Sequence, residues 1–128
     1  MTDDTTNTSR HVSQWVDAGF DEVYAYAADP DNLPRWAAGL ADPKLAGVEV
    51  EFAERNEFGV LDHVVTLPSG ERFFNPMRVI PAGIDERGCE VVFSLRRLAG
   101  VTDAEFDADA TAVAADLATL RALVERAG

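Results

Sequence analysis

Three polar residues interrupt the apolar sides of predicted strands and are candidates for chemistry: His63, Asn75 and Arg97. His63 is the one side chain among them that can exchange a proton near neutral pH, so it is the candidate acid or base. Small-molecule pockets combine an apolar wall with a few convergent polar groups. These residues therefore predict a ligand pocket, with His63 as its candidate catalytic group.

Each of these residues also has a structural interpretation. His63 could be a core histidine satisfied by a backbone carbonyl or a carboxylate, and a one-residue slip in register would turn it outward and Asp62 inward. Asn75 precedes Pro76, which indicates a bulge or a strand edge. Arg97 could extend its guanidinium group into solvent rather than bind an anion.

Several other kinds of site are not expected. His11 and His63 lie in separate predicted strands without the helical His-x-x-x-His spacing of a zinc site, so we expect no metal and no cofactor. Cys89 is the single cysteine, which excludes an internal disulfide and fits a small core residue. The sequence contains no Gly-x-Ser-x-Gly elbow and no glycine-rich phosphate loop.

Alternating apolar residues predict the strands that hold these side chains. The predicted strands cover residues 11–16, 48–53, 58–67, 72–80 and 89–97. Pro68-Ser69-Gly70 has the composition of a hairpin turn between the third and fourth strands. Pro76 lies inside the fourth strand and argues for an edge or a bulge there.

Helical spacing predicts two short helices and one long one. Residues 20–28 form the first, and Asp29-Pro30 ends it and caps a second that runs toward Gly39. The long helix covers residues 102–127, with Thr102 and Glu105 in a capping-box pattern. Its apolar stripe needs a sheet to cover it and consists of Phe106, Ala110, Val113, Leu117, Leu120 and Val124.

The order of elements predicts an α+β fold, because strands and helices are segregated along the chain. Residues 1–9 lack periodicity and are expected to form a disordered tail, and residues 10–128 a single domain. The net charge of −12 disfavours nucleic acid as a partner. No apolar run is long enough to span a bilayer and the first ten residues are polar, so we expect a soluble, cytoplasmic monomer or homodimer.

Residues 12–40, VSQWVDAGFDEVYAYAADPDNLPRWAAGL, resemble the opening of the START-like, polyketide cyclase/dehydrase-like superfamily (SRPBCC). Its D-P-x-x-x-P-x-W-like segment is matched by Asp29, Pro30, Pro34 and Trp36. The order of the later strands and the terminal helix extends the resemblance over nearly the whole chain. It implies a helix-grip fold, in which a curved antiparallel sheet of six to seven strands wraps around the C-terminal helix and leaves an apolar cavity.

The resemblance leaves three functions open, because the superfamily includes ligand carriers, cyclases and chaperone co-factors. The first is binding of a hydrophobic or aromatic small molecule, lipid- or polyketide-like, between sheet and helix. The second is a polyketide cyclase/dehydrase-like enzyme with His63 as acid/base, and the third a chaperone-activator-like interaction protein. The candidate ligand-binding residues are Tyr24, Trp36, Leu61, His63, Phe73, Asn75, Met77, Phe93, Val113 and Leu117.

Overall fold

The computed structural model describes residues 8–37 and 47–127, which contain six β-strands and three α-helices. In chain order the elements are β1 (Ser9–Val16), α1 (Phe20–Ala28), a short 3-10 helix (Pro30–Asn32), α2 (Leu33–Trp36), β2 (Glu49–Phe52), β3 (His63–Thr66), β4 (Arg72–Asn75), β5 (Met77–Pro81), β6 (Cys89–Arg96) and α3 (Asp103–Ala127). This order confirms the predicted α+β class.

Two predicted segments fall partly outside the described residues. The proposed N-terminal tail, residues 1–9, is described only for its last two positions, and Ser9 already belongs to β1. The second short helix ends at Trp36, and its predicted continuation toward Gly39 lies outside the described residues. Asp29 caps the 3-10 helix that precedes α2, as expected, because its Oδ1 accepts the N–H of Asp31 at 2.9 Å.

The strands pair antiparallel in two groups of three, β1-β6-β5 and β2-β3-β4. One hairpin, residues 59–66 with 72–79, joins the groups and keeps a single register along its length. His63 pairs with Asn75 on one side of a break, and Val60 bridges Arg78 on the other. The two groups therefore form the curved antiparallel sheet that the resemblance implied.

The break in this hairpin lies where Asp62 faces Pro76. Pro76 has no N–H to donate, and the N–H of Met77 donates to Asp62 Oδ1 at 2.9 Å. The Pro76 carbonyl accepts the N–H of Ser94 at 3.0 Å. On the β5 side of the break the hairpin pairs with β6, and on the β4 side it does not, although β6 itself continues along β1. The fourth predicted strand is therefore two strands, β4 and β5.

The third predicted strand, residues 58–67, was too long. Its first residues form a loop organised by Asn56, whose Oδ1 accepts the N–H groups of Phe58 and Val60 at 3.0 Å each. The Phe58 side chain is 81% exposed. A side chain that satisfies the backbone locally competes with strand pairing, so regular pairing with β4 begins only at His63.

Helix α3 packs its apolar stripe against the sheet and α2. Four of the six predicted stripe residues are buried and the other two are half-buried. The capping box is formed: the Thr102 N–H donates to Glu105 Oε1 and the Glu105 N–H to Thr102 Oγ1, each at 3.1 Å. No helix among the described residues is both long enough and apolar enough to cross a membrane.

Cys89 is fully buried at the start of β6. Its Sγ–H donates weakly to the Ala18 carbonyl at 3.8 Å. Burial raises the pKa of the thiol to about 11, which disfavours the reactive thiolate. The interpretation of Cys89 as a small core residue is confirmed.

Candidate functional site

His63, the first residue of β3, points into the molecule and is 7% exposed. The inward register is therefore confirmed, and the neighbouring Asp62 uses its carboxylate to bind Met77 N–H and the Arg78 guanidinium. His63 Nδ1 lies 2.9 Å from the Leu61 carbonyl oxygen. Since a carbonyl only accepts hydrogen bonds, Nδ1 carries the proton and Nε2 of the neutral ring carries a lone pair that can accept one.

Burial lowers the pKa of His63, because removing the ring from water disfavours its charged form. The hydrogen bond to Leu61 and the negative charge of Asp62 raise the pKa, but by less than burial lowers it. His63 is therefore neutral at pH 7, with Nε2 available as an acceptor or as a base.

Asn75 lies directly opposite His63 in the β3–β4 register. Its Nδ2 is 3.5 Å from His63 Nε2, the long limit of a hydrogen bond. A contact this long is weak, so a closer donor could still use the Nε2 lone pair. Asn75 fits both interpretations, a strand edge and a pocket residue. It ends β4 beside Pro76 and also faces the same space as His63.

This space is a cavity of about 170 Å³ between the sheet and α3. Aromatic rings lie close to His63, with the centroid of Phe52 at 5.1 Å and that of Phe93 at 6.0 Å. The cavity is lined by Leu33, Trp36, Ala37, Val50, His63, Val65, Asn75, Phe93, Val113, Asp116 and Leu117. Apolar side chains thus form most of the wall, as in small-molecule sites generally.

Trp36 contributes a polar group that is not visible in the sequence pattern. The residue is 4% exposed, and its Nε1 is buried without a hydrogen-bond partner. Leaving such a donor unsatisfied costs about 1–3 kcal/mol, and nearly all buried donors in folded proteins have an acceptor. Within the described parts of the chain, Trp36 is therefore a donor in need of an acceptor, beside a cavity.

Six of the ten predicted ligand-binding residues line this cavity: Trp36, His63, Asn75, Phe93, Val113 and Leu117. Four do not. Leu61 and Met77 are fully buried residues of the hydrophobic core and are not in the cavity lining. Phe73 faces a separate cleft.

Tyr24 is the fourth residue outside the lining. Its hydroxyl accepts the N–H of Asn56 at 3.0 Å, and the Arg55 guanidinium lies 5.5 Å from the centre of its ring. Tyr24 therefore holds the loop before β3 and does not line the cavity. Tyr24 shares the buried face of α1 with Val23 and Ala27, as helical spacing predicts, but its loop partner, 32 residues away, is not visible in the sequence.

The separate cleft has a volume of about 890 Å³ and opens where Pro76 parts β4 from β6. It shares Val65 and Asn75 with the cavity. Its lining is mainly apolar and includes five charged side chains: Glu71, Arg72, Arg96, Arg97 and Asp109. We assign the candidate site to the smaller cavity, because it contains two buried polar side chains, His63 and Trp36.

Arg97 lies in the cleft and acts on α3. Its Nε donates to the Val101 carbonyl at 3.0 Å, and its guanidinium pairs with the Asp103 carboxylate and lies 6.0 Å from the centre of the Phe106 ring. Arg97 therefore fastens the start of the helix, and the expectation that it extends into solvent was wrong. The Asp103 carboxylate and the face of the Phe106 ring both attract the guanidinium group, which is only 17% exposed.

Asp116 and Val50 also line the cavity and were missed as site residues. Asp116 lies three residues after Val113 on α3, so helical spacing places both on one face. Val50 alternates with the exposed Glu49 and Glu51 in β2, but alternation does not show where the sheet leaves a gap. Among residues 8–37 and 47–127, no group of three or more histidine, cysteine or acidic side chains could hold a metal ion.

Several solved structures resemble this one at low sequence identity. A truncated norcoclaurine synthase from Thalictrum flavum matches with a TM-score of 0.60 and 14% identity, over 92% of this chain and 93% of its own. A protein from Thermus thermophilus matches with a TM-score of 0.51 and 16% identity, over 94% and 99%. An uncharacterised protein from Bacillus thuringiensis matches with a TM-score of 0.53 and 13% identity, over 91% and 98%.

These likenesses confirm the predicted helix-grip fold, with the sheet wrapped around the terminal helix. No protein-family model and no curated protein sequence matches the chain. At 13–16% identity the matches establish the fold and not an activity.

Proposed function

We propose that this protein binds a hydrophobic or aromatic small molecule in the cavity between the curved sheet and α3. The observation that carries the proposal is the cavity lining, which joins apolar walls to four polar side chains, Trp36, His63, Asn75 and Asp116. Burial against the walls supplies the affinity, and the polar groups orient one end of the ligand.

The volume of the cavity restricts the size of this ligand. Its 170 Å³ is close to the volume of about 150 Å³ in which an apolar protein cavity holds one benzene molecule. A lipid chain or a multi-ring polyketide would have to continue into the cleft, past Val65 and Asn75. A compact ligand with one ring is the simplest match.

Native mass spectrometry of freshly purified protein tests the proposal directly. We expect a fraction of the protein to carry a small apolar molecule, or the empty protein to take one up from a set of aromatic and aliphatic compounds. If the protein stays empty against the whole set, the proposal is wrong.

A variant that fills the cavity locates the site. Val113 is half-buried in the lining, so Val113→Phe should occupy the space that the ligand needs and abolish binding. Ala114→Phe is the matched control, because residue 114 is exposed and lies outside the lining. Equal binding by both variants would place the ligand elsewhere.

A second candidate function is an enzyme of polyketide cyclase/dehydrase type. It is favoured by one observation, the unprotonated Nε2 of His63 in the cavity lining, which could take a proton from a bound substrate and return it. The fold is shared with the norcoclaurine synthase of Thalictrum flavum. Turnover of a bound compound that His63→Ala abolishes, while folding and binding persist, would establish this function; binding without turnover in either protein favours the first.

A further inference from the structure

We infer that the ligand is a single-ring phenol whose oxygen accepts a hydrogen bond from Trp36 Nε1–H and whose proton is donated to His63 Nε2. This inference rests on the proposed function and specifies the chemical class of the ligand. Its basis is a pair of polar atoms on two residues that line the cavity: a donor without a partner, Trp36 Nε1, and an acceptor with only a long contact, His63 Nε2.

The donor is the Trp36 indole. Its Nε1 is buried and has no acceptor among the described residues. Because an indole N–H can only donate, the missing partner must bring a lone pair. A hydroxyl, ether or carboxylate oxygen on the ligand would supply it.

The acceptor is the His63 imidazole. The proton of the neutral ring lies on Nδ1, committed to the Leu61 carbonyl at 2.9 Å, so Nε2 can only accept. Its contact with Asn75 Nδ2, at 3.5 Å, is at the long limit of a hydrogen bond. The missing partner here must bring a proton, which an ether or a carboxylate cannot do.

A hydroxyl group is the smallest group that serves both atoms, since it donates once and accepts at two lone pairs. A carboxylate is disfavoured further by Asp116 in the same lining and by the net charge of −12. The aromatic ring follows from the volume, which suits one ring, and from the neighbouring Trp36 and Phe93 side chains.

The primary test uses the unaltered protein and four probes of similar size: phenol, anisole, toluene and benzoate. Isothermal titration or ligand-observed NMR would compare their dissociation constants. We expect phenol to bind about tenfold or more tightly than toluene, the sum of two modest hydrogen bonds. Anisole, which can only accept, should fall between them, and benzoate should bind least.

The two tryptophans allow a direct view of the hydrogen bond. In a nitrogen–proton correlation spectrum, the indole signal of Trp36 should move downfield with phenol and less with toluene. Trp15 is an internal control, because it is 47% exposed on the outer face of β1 and far from the lining residues in register. Its signal should stay in place with either compound.

A substitution at Trp36 distinguishes the contribution of its N–H group to binding from that of the apolar cavity walls. Trp36→Phe removes the N–H and keeps a ring, so the preference for phenol over toluene should shrink several-fold while toluene still binds. Tyr24→Phe is the control, because its hydroxyl serves the Asn56 loop and not the cavity. That variant should keep the full preference.

The outcomes distinguish this inference from the proposed function. Equal binding of toluene and phenol, or tighter binding of benzoate, would overturn the phenol assignment and leave small-molecule binding intact. Failure of all four probes, and of every compound in the broader screen, would overturn both. A phenol preference that survives Trp36→Phe unchanged would overturn the role of the indole N–H.

Discussion

At the scale of single residues, His63 and Trp36 show how burial changes what a side chain can do. Burial keeps His63 neutral, and its bond to Leu61 selects which ring nitrogen holds the proton. Trp36 keeps a buried donor without an acceptor in the described chain. Both features cost stability, and proteins retain such costs mainly where a site requires them.

The lowered pKa of His63 predicts a pH-dependent loss of stability. Below the ordinary pKa of 6.5 the unfolded chain binds a proton that the folded chain does not, so acid favours unfolding. Relative to His63→Gln, the free energy of unfolding of the wild type should fall by up to about 1.4 kcal/mol per pH unit between pH 6.5 and the lowered pKa of the folded state. Above pH 6.5 the difference between the two proteins should not change with pH. Urea denaturation between about pH 8 and pH 5 measures this difference.

The acidic groups near His63 are Asp62 beside it and Asp116 in the cavity lining, and both are present in the two proteins. Their contributions are therefore common to both proteins and largely cancel in the comparison. A stability difference that does not change with pH would contradict the buried, neutral state of His63.

Gly59 is a second position where local geometry decides stability. It has φ of +74°, and a Cβ there would lie 2.1 Å from the Val79 carbonyl oxygen and 2.9 Å from the Phe20 ring. Gly59→Ala should therefore cost about 3 kcal/mol or more, from backbone strain together with the clash. Gly70→Ala is the control, because Gly70 also has positive φ, +92°, but nothing lies within 4 Å of its Cβ position.

We expect Gly70→Ala to cost only about 1–2 kcal/mol, the strain of a left-handed residue alone. Chemical denaturation of both variants gives the comparison. A similar decrease in the free energy of unfolding in both variants would mean that Gly59 lies farther from Val79 of β5 than the structure shows.

At the scale of elements, α3 and the broken hairpin have the largest consequences for the site. The helix brings Val113, Asp116 and Leu117 to the cavity, and the sheet brings His63 and Asn75 to meet them. The break at Pro76 separates β4 from β6 and opens the cleft beside the cavity. The two sides of the cavity, α3 and the sheet, therefore depend on where α3 begins and where β4 ends.

The start of α3 can be tested by removing its cap. Thr102→Ala deletes the hydroxyl that accepts the Glu105 N–H and should lower the free energy of unfolding by about 1 kcal/mol. Thr119→Ala is the matched control within the same helix, since Thr119 is exposed and its hydroxyl bonds only to the preceding turn, at the Ala115 carbonyl. That change should be neutral or slightly stabilising, because alanine favours helix more than threonine does.

Thermal or urea unfolding followed by circular dichroism measures both variants. Equal effects of the two substitutions would show that the capping box contributes no more than helix propensity does.

At the scale of the whole molecule, the net charge of −12 should act against the compact state through self-repulsion. Raising NaCl from about 0.01 M to about 0.15 M shortens the Debye length from about 30 Å to about 8 Å. We expect stability to rise by about 1 kcal/mol and Tm by a few degrees. Exposed ion pairs such as Arg121 with Glu125 contribute too little to reverse this effect.

A thermal melt at the two salt concentrations gives the measurement. Potassium chloride should produce the same shift, because screening depends on ionic strength and not on the identity of the cation. A Tm that falls with salt would show that attractive pairs outweigh the excess of acidic charge.

The fold was largely predictable because its signals are local and repeated. The apolar stripe from Phe106 to Val124 predicts a helix that packs on a sheet, whichever strands form that sheet. Thr102 and Glu105 mark the start of the helix. Alternation placed His63 on the inner face of β3 with the correct register. The errors came where a single side chain, Asn56 or Asp62, takes over backbone hydrogen bonds.

The candidate site was predictable only in part. Periodicity separates inner from outer faces, so it proposed inward residues such as Leu61 and Met77 as readily as Phe93 and Leu117. It could not tell which of them meet empty space. That distinction depends on packing between elements that are distant in the sequence.

The sequence by itself determined the α+β class, the inward face of each strand, the buried stripe of α3 and its cap, because each of these follows from neighbours within a few residues. Only the tertiary structure decided that Tyr24 serves a loop, that Trp36 keeps an N–H without an acceptor in the described chain, and that a cavity of about 170 Å³ remains between sheet and helix. The physical reason is that a gap belongs to no single segment: it is the volume that several segments fail to fill when they pack together.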